Sequence, residues 1–354
     1  MNVSEAVDRG AEIERAFRKQ AVACGEMGSA IYADLLARCA DDFAAGGLVA
    51  RDVAGWSGHP VLDNVALRLL GAAHFLALSG DAPALAACFP SAGGRYDAVR
   101  AWAALRGVFE THAERIRVHL TEQIQTNEVR RCCALLGGFL TIAREFPWPL
   151  RLLEIGASAG LNQCFEQFRY ELGAQRFGPE RAPLTLDCEW RGEPLAVLEA
   201  PLRVASRAGC DIAPIDLRER SARLRLESFF WPDQVERLAR LRAACECALR
   251  SNVKLERAGA GDWLARELAS AAPGATTVLF HSVMWQYVPE AERKRIHALM
   301  AEAGARASAE APLAWLRMEG PNYEYCEVRL RTWPAGEDRL LARCHYHGAW
   351  VEWL

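Results

Sequence analysis

The sequence lacks the features that mark a membrane-spanning or nucleic-acid-binding chain. Its longest apolar stretch, residues 132–143, contains two glycines and is too short to cross a bilayer. The formal net charge of -3 at pH 7 leaves no basic excess for a polyanionic partner. The opening residues, MNVSEAVDRGAEIERAF, lack the apolar core of a signal peptide. We therefore expect a cytoplasmic protein with no membrane or nucleic-acid partner, whose oligomeric state the sequence does not indicate.

The sequence also lacks the cysteine spacing of a zinc site. None of its 12 cysteines forms a C-x-x-C pair. Cys344, His345 and His347 come nearest to a metal cluster, but strand alternation would separate Cys344 from the two histidines. We expect no metal, and cysteines that are reduced and buried as small hydrophobic residues.

Two halves of different character follow one another along the chain. Residues 1–145 contain apolar positions at helical spacing with no alternating β-branched run, which predicts an N-terminal helical domain. Pro147 and Pro149 then end the last helix. Over residues 146–354 short apolar runs alternate with helical stretches, which predicts a mostly parallel sheet covered on both faces.

The stretch LLEIGASAGLN, residues 152–162, contains two overlapping motifs. G-x-S-x-G is the nucleophile elbow of serine hydrolases, with Ser158 as the nucleophile. That fold needs earlier strands to supply its oxyanion hole, and the sequence predicts none before residue 150. A dinucleotide-binding loop would need a small residue where Leu161 stands.

Gly156 and Gly160, with Ser158 between them, resemble the E/D-x-G-x-G-x-G turn of class I S-adenosylmethionine (SAM)-dependent methyltransferases. The resemblance implies a Rossmann-like α/β fold: a seven-stranded, mostly parallel methyltransferase sheet with a C-terminal antiparallel hairpin. It implies SAM as the cofactor, bound by this loop and by Asn162 after it. Glu154 would contact the cofactor's ammonium group.

The resemblance also implies acids after the next two strands. Asp211, at the end of RAGCDIAPID, matches the acid that binds the ribose hydroxyls. Its distance from Gly160 requires an insertion near residues 177–204, which we expect to form a hairpin. If that segment is instead the second strand, Asp187 or Glu189 is the ribose acid. Asp262 matches the residue that accepts a hydrogen bond from the adenine amino group.

The predicted fourth and fifth strands end in residues that could act on a methyl acceptor. His281 is the candidate base, with a purely structural histidine as the alternative. Glu319 ends the fifth strand and is the second candidate catalytic residue. The remaining candidates for the acceptor pocket are Asn127, Glu128, Trp285, Tyr287 and Asn322.

Five segments in this order also resemble a bacterial family catalogued as domain of unknown function 2332: QTNEVRRCCALL, LEIGASAGLN, DCEWRG, FFWPDQVERLARLRAA and FHSVMWQY. That resemblance supports the architecture and implies no substrate. The sequence thus predicts SAM-dependent methylation of a small molecule. The alternatives are a non-catalytic SAM-like or nucleotide-like binding module and a Ser158 hydrolase.

Overall fold

The computed structural model describes residues 3–322 and 324–354, with side chains from residue 9 onward. It divides into two compact units. One comprises the chain up to Thr126 together with Arg218–Ala239, and the other comprises Asn127–Leu217 together with Arg240–Leu354. None of the described helices is long and apolar enough to cross a membrane.

Helices form most of the described chain up to the first strand and recur between the strands afterwards. In chain order they are α1 (Val3–Glu26), α2 (Ala30–Ala44), α3 (Leu48–Val53), α4 (Val65–Ser79), α5 (Pro83–Ala86), α6 (Ala98–Thr111), α7 (Ala113–Leu120), α8 (Cys132–Glu145), α9 (Arg220–Ser228), α10 (Val235–Arg250), α11 (Ala260–Glu267) and α12 (Glu290–Ala305).

The first unit contains α1 to α7, α9 and the start of α10 around a core of its own. Local signals position its helices: the Ser29 hydroxyl accepts from the Tyr32 N–H at the start of α2, and Asp97 accepts from two N–H groups of α6. The segment before α10 is part of this unit because Asp233 binds the Ser29 hydroxyl and Trp231 contacts the Tyr32 ring.

The second unit is built on one sheet. Its strands are β1 (Leu150–Ile155), β2 (Arg169–Leu172), β3 (Gln175–Phe177), β4 (Thr185–Gly192), β5 (Val204–Asp211), β6 (Lys254–Arg257), β7 (Thr276–Ser282), β8 (Leu313–Glu319), β9 (Cys326–Trp333), β10 (Asp338–Cys344) and β11 (Trp350–Trp353). They lie in the order β3-β2-β4-β11-β10-β9-β8-β7-β1-β5-β6. The strands β6, β5, β1, β7 and β8 are mutually parallel.

Each face of this sheet packs against helices. On one face Phe139 of α8 stacks on Phe165 and meets Phe280 of β7 edge-on. The other face carries a core that includes Leu279, Trp315 and residues of α11 and α12. The prediction of a mixed α/β fold with a large, mostly parallel sheet is confirmed.

The predicted number of seven strands is wrong, because the sheet has eleven. The chain between β1 and β5 contributes three strands: β2 and β3 form an antiparallel hairpin, while β4 lies parallel to both β2 and β11. The hairpin therefore precedes residues 177–204, the segment for which the sequence predicts it. The C-terminal segment forms three strands and not two, because a turn with Gly348 at φ 72° interrupts it after Cys344.

The division into units also differs from the boundary drawn at residue 146 in the sequence. Helix α8 belongs to the second unit, where it packs on β8 and β9, and Arg218–Ala239 belongs to the first. Both differences arise from long-range packing of segments whose local pattern is helical in either case.

Candidate functional site

The order of the parallel strands reverses next to β1. Among the five mutually parallel strands, β5 is the next after β1 along the chain and lies on one side of it, while β7 lies on the other. In open α/β sheets such a reversal opens a crevice at the carboxyl ends of the strands, and ligands bind there. The loop after β1, Asp211 at the end of β5, His281 near the end of β7 and Glu319 at the end of β8 all lie at this edge.

The loop after β1 has an unusual backbone that Asn127 holds in place. Gly156, Ser158 and Gly160 have positive φ values of 63°, 53° and 70°. The side-chain Oδ1 of Asn127 accepts hydrogen bonds from the N–H groups of Ala159 (3.2 Å) and Leu161 (3.1 Å). Asn127, predicted as a residue of the acceptor pocket, therefore contacts the loop directly through its side chain.

Asp211 binds the same loop from the neighbouring strand. Its Oδ2 accepts from the Ser158 N–H at 2.9 Å, and its Oδ1 accepts from the Ala213 N–H at 2.8 Å. The Ser158 carbonyl accepts in turn from the Ile215 N–H at 3.0 Å. Asp211 is only 9% exposed. The carboxylate therefore orders the loop, and each of its oxygens retains one further lone pair for a ligand.

Glu154 lies in β1 beneath the loop and is 2% exposed. Burial raises the pKa of its carboxyl well above the usual range, and the nearby Asp211 raises it further, against the opposing effect of the Arg131 guanidinium. Oxygen Oε2 of Glu154 and both polar atoms of the Gln163 amide are buried without a hydrogen-bond partner. Such atoms mark places where a water or a ligand group completes the structure.

His281 and Glu319, predicted separately, form a pair. Nδ1 of His281 lies 2.6 Å from Oε1 of Glu319. The same carboxylate accepts from the N–H groups of Met284 and Trp285, both at 3.2 Å. Trp285 stacks on the His281 ring at a centroid distance of 5.0 Å. Because three donors converge on Glu319, we assign the ring proton to Nδ1, which leaves Nε2 as an acceptor.

The pair and Glu154 lie on opposite faces of the sheet. Glu154 is in register with Phe280, which faces α8. His281 is the next residue and faces α12, since side chains alternate along a strand. Met284 connects the two regions: its N–H binds Glu319, and a Cβ added to Gly156 would lie only 2.8 Å from its Cγ.

The loop that carries Met284 and Trp285 is strained. Val283 has φ 53°, a conformation that is a genuine outlier for a β-branched residue. Five non-glycine residues have positive φ in the described part of the chain, and Asn127, Ser158 and Val283 are three of them. Strained backbone of this kind clusters at functional sites.

Three predicted site residues point elsewhere. Asp262 is exposed on α11, where it binds Arg295 at 2.6 Å. Tyr287 is 67% exposed. The Oδ1 of Asn322 accepts from the N–H groups of Glu324 and Tyr325.

The other predicted residues are Asn162, Glu128, Asp187 and Glu189. Asn162 is buried, and its Oδ1 accepts from the thiol of Cys132. Glu128 starts a short 3-10 helix by accepting from the Arg130 N–H. Asp187 and Glu189 lie on β4, which is not a neighbour of β1, so the segment that holds them is not the second parallel strand.

Comparison with known proteins gives one match. The model of a family described as an uncharacterized protein conserved in bacteria, DUF2332, matches residues 14–353. The chain belongs to this family. No curated protein and no solved structure matches it.

In this DUF2332 member, the sequence reasoning missed several residues that surround the His281–Glu319 pair. A cavity of about 180 Å³ lies beside it, and its lining includes His281, Trp285, His297, Arg317, Glu319 and Arg329. Arg317 could have been found, because it stands two residues before Glu319 in a predicted strand and so shares its face. Burial and the Arg317 guanidinium lower the pKa of His297. No group of three or more potential ligands for a metal ion occurs among the residues described.

Proposed function

We propose that this protein binds SAM at the loop after β1 and methylates a small molecule. The observation that carries the proposal is the position of the loop: a glycine-containing turn directly after the central strand, at the reversal of strand order, with buried acids on two strands beside it. Glycines at such a turn let a ligand approach the backbone closely.

The residues around the loop fit a cofactor that carries a positive charge and hydroxyl groups. Asp211 retains acceptor capacity for a ribose hydroxyl after binding the Ser158 and Ala213 N–H groups. Glu154 has a carboxylate oxygen without a partner, and a nearby cation would favour its ionised form.

When bound, the cofactor supplies an electrophilic methyl group. The chain's own residues then position the acceptor and accept its proton. His281 is the base in this proposal, since Glu319 orients its ring and leaves Nε2 available. Methyl transfer is largely a matter of positioning, so a single oriented base suffices for an acceptor that must lose a proton.

The test is calorimetric titration of the whole protein with SAM and with S-adenosylhomocysteine. We expect saturable binding and a raised melting temperature. Gly160→Asp should abolish binding, because a Cβ there would lie 2.7 Å from Val253 Cγ1. Ser158→Ala should retain it, because the Ser158 contact to Asp211 is made by the backbone N–H. No binding at millimolar cofactor would refute the proposal.

Titrations in buffers of different ionisation enthalpy supply a readout besides affinity. Binding of a cation near Glu154 should release a proton, because the raised pKa favours the protonated form of this carboxyl in the free protein. Glu154→Gln removes the titrating group and should abolish that release. Release that persists in the variant would place the cation elsewhere.

A second candidate, a non-catalytic binding module, is favoured by one observation. Both oxygens of Asp211 already bind the loop and the turn after β5. A module of this type would bind the cofactor without converting it in the presence of a small-molecule extract. Formation of S-adenosylhomocysteine under those conditions would exclude it.

A further inference from the structure

Two residues that line the cavity beside the His281–Glu319 pair each have a buried nitrogen atom that the protein does not satisfy. Nε2 of His281 and Nε of Arg317 have no hydrogen-bond partner, and both residues line the cavity. His281 is fully buried. Buried polar atoms are nearly always paired, so these two mark the position of a missing group.

The two nitrogens have opposite hydrogen-bonding roles. Nε of an arginine can only donate. Nε2 of His281 can accept, because Nδ1 carries the proton shared with Glu319. A group that satisfies both must accept one hydrogen bond and donate another. A hydroxyl does this, whereas a carboxylate cannot donate and an ammonium cannot accept.

The charges around the cavity do not select for an ion. Two arginines, Arg317 and Arg329, and two glutamates, Glu319 and Glu327, are in the lining. Both arginines are already bound to Asp338 as well. Glu327 binds Arg329 and Glu319 accepts from three N–H groups, so each charged side chain of the lining already has a partner. A neutral ligand therefore enters without leaving a charge unpaired.

One wall of the cavity is aromatic and held in place. Trp285 is half-buried and stacked on His281, and its edge meets the ring of His297. The strained Val283 donates its N–H to the Met318 carbonyl, which directs the next two N–H groups of the loop onto Glu319. The loop thus presents a flat apolar surface beside the two unsatisfied nitrogens.

We infer that this cavity binds a small neutral alcohol or phenol, whose hydroxyl donates to Nε2 of His281 and accepts from Nε of Arg317. The hydroxyl proton then points at Nε2 of His281, the atom that can remove it. Trp285 contacts the apolar part of the ligand. The binding site itself is independent of the cofactor. Its use as the methyl-acceptor site rests on the proposed function.

The test uses phenol and its methyl ether, anisole, as matched probes of the whole protein labelled with ¹⁵N-histidine. The His281 resonances are assigned by their loss in His281→Gln. We expect Nδ1 protonated and Nε2 unprotonated in the free protein. Millimolar phenol should shift the Nε2 resonance saturably, whereas anisole, which cannot donate, should not.

Arg317→Lys provides the second variant, because lysine lacks the Nε–H donor. Loss of one hydrogen bond to a charged donor should weaken phenol binding roughly tenfold. Arg331→Lys is the control: Arg331 is on the same sheet, stacks on Trp333 and is not in the cavity lining, so binding should be unchanged.

Three results would overturn the inference: no response to phenol, an equal response to anisole, or the same affinity in Arg317→Lys. None of these depends on SAM. If phenol binds as expected and calorimetry detects no cofactor, the hydroxyl site stands and the proposed function fails. If calorimetry detects the cofactor and phenol does not bind, the cofactor site stands and the hydroxyl site fails.

Discussion

At the scale of single residues, Glu154 makes stability depend on pH. Its pKa is raised by burial, so the folded protein holds a proton that the unfolded chain loses at its ordinary value of about 4.5. Above that pH the unfolded state binds fewer protons, and stability falls as pH rises until the folded-state pKa is reached. Glu154→Gln should therefore gain stability relative to the parent by up to about 1.4 kcal/mol per pH unit within this window.

Chemical denaturation of both proteins between pH 5 and pH 8 measures this difference. Glu290→Gln is the matched control, because Glu290 is exposed on α12 and binds Lys294 there. The difference between that variant and the parent should stay constant over the range. A pH-independent difference for Glu154→Gln would mean that its carboxyl ionises as readily in the folded protein as in the unfolded chain.

Residue identity alone revealed part of the candidate site. The glycine spacing identifies the loop after β1, and the positions of His281 and Glu319 at strand ends place them at one edge of the sheet. Their pairing depends on the register of β7 against β8, in which His281 lies opposite Arg317. The direction of the Asp262 side chain depends on the rotation of α11, which the local sequence does not determine.

At the scale of elements, the loop after β1 depends on an amide from outside the strand. Asn127 satisfies two loop N–H groups and itself has φ 35°. Asn127→Ala should leave both N–H groups without their partner and cost about 2 to 4 kcal/mol of stability. Hydrogen exchange at Ala159 and Leu161 should accelerate in the variant.

Asn64→Ala controls for the backbone conformation. Asn64 has φ 54° at the start of α4, where its side chain makes no capping hydrogen bond. This variant should show the cost of placing alanine in a left-handed conformation, about 1 kcal/mol, together with the loss of one exposed hydrogen bond from Asn64 Nδ2 to the Leu62 carbonyl. If the two variants lose the same stability, the Asn127 amide contributes nothing beyond its own backbone.

The sequence does not predict the pairing of short strands that lie far apart along the chain. Strand β11 has four residues and pairs with β4, about 160 positions earlier in the chain. A segment of that length carries too little periodicity to identify its partner. The central parallel strands could be predicted because each is an apolar run that ends in turn residues. The number of strands in the sheet could not be predicted, because it depends on such short pairings.

At the scale of the whole molecule, burial determines the chemical reactivity of the 12 cysteines. All of them are buried, none forms a disulfide, and they lie in both units. Burial raises the pKa of the Cys24 thiol to about 11 and that of Cys210 to about 12. Cys247 is different, because a hydrogen bond with Cys164 lowers its pKa. Thiolates are the reactive species, so the folded protein should react slowly with thiol reagents.

We therefore predict that the native protein, titrated with a chromogenic disulfide, reacts with at most one thiol per chain within minutes. Cys247 is the candidate, and because it is fully buried it reacts only after a local opening exposes it. In denaturant all 12 cysteines should react, whether or not the protein was first reduced. Dithiothreitol should leave the melting temperature unchanged, because no disulfide contributes to stability. A count below 12 without prior reduction would reveal a disulfide, and Cys247→Ser would show whether the fast thiol is the expected one. Because the other thiols are shielded by packing alone, their reaction rates in the native protein measure how often each unit opens.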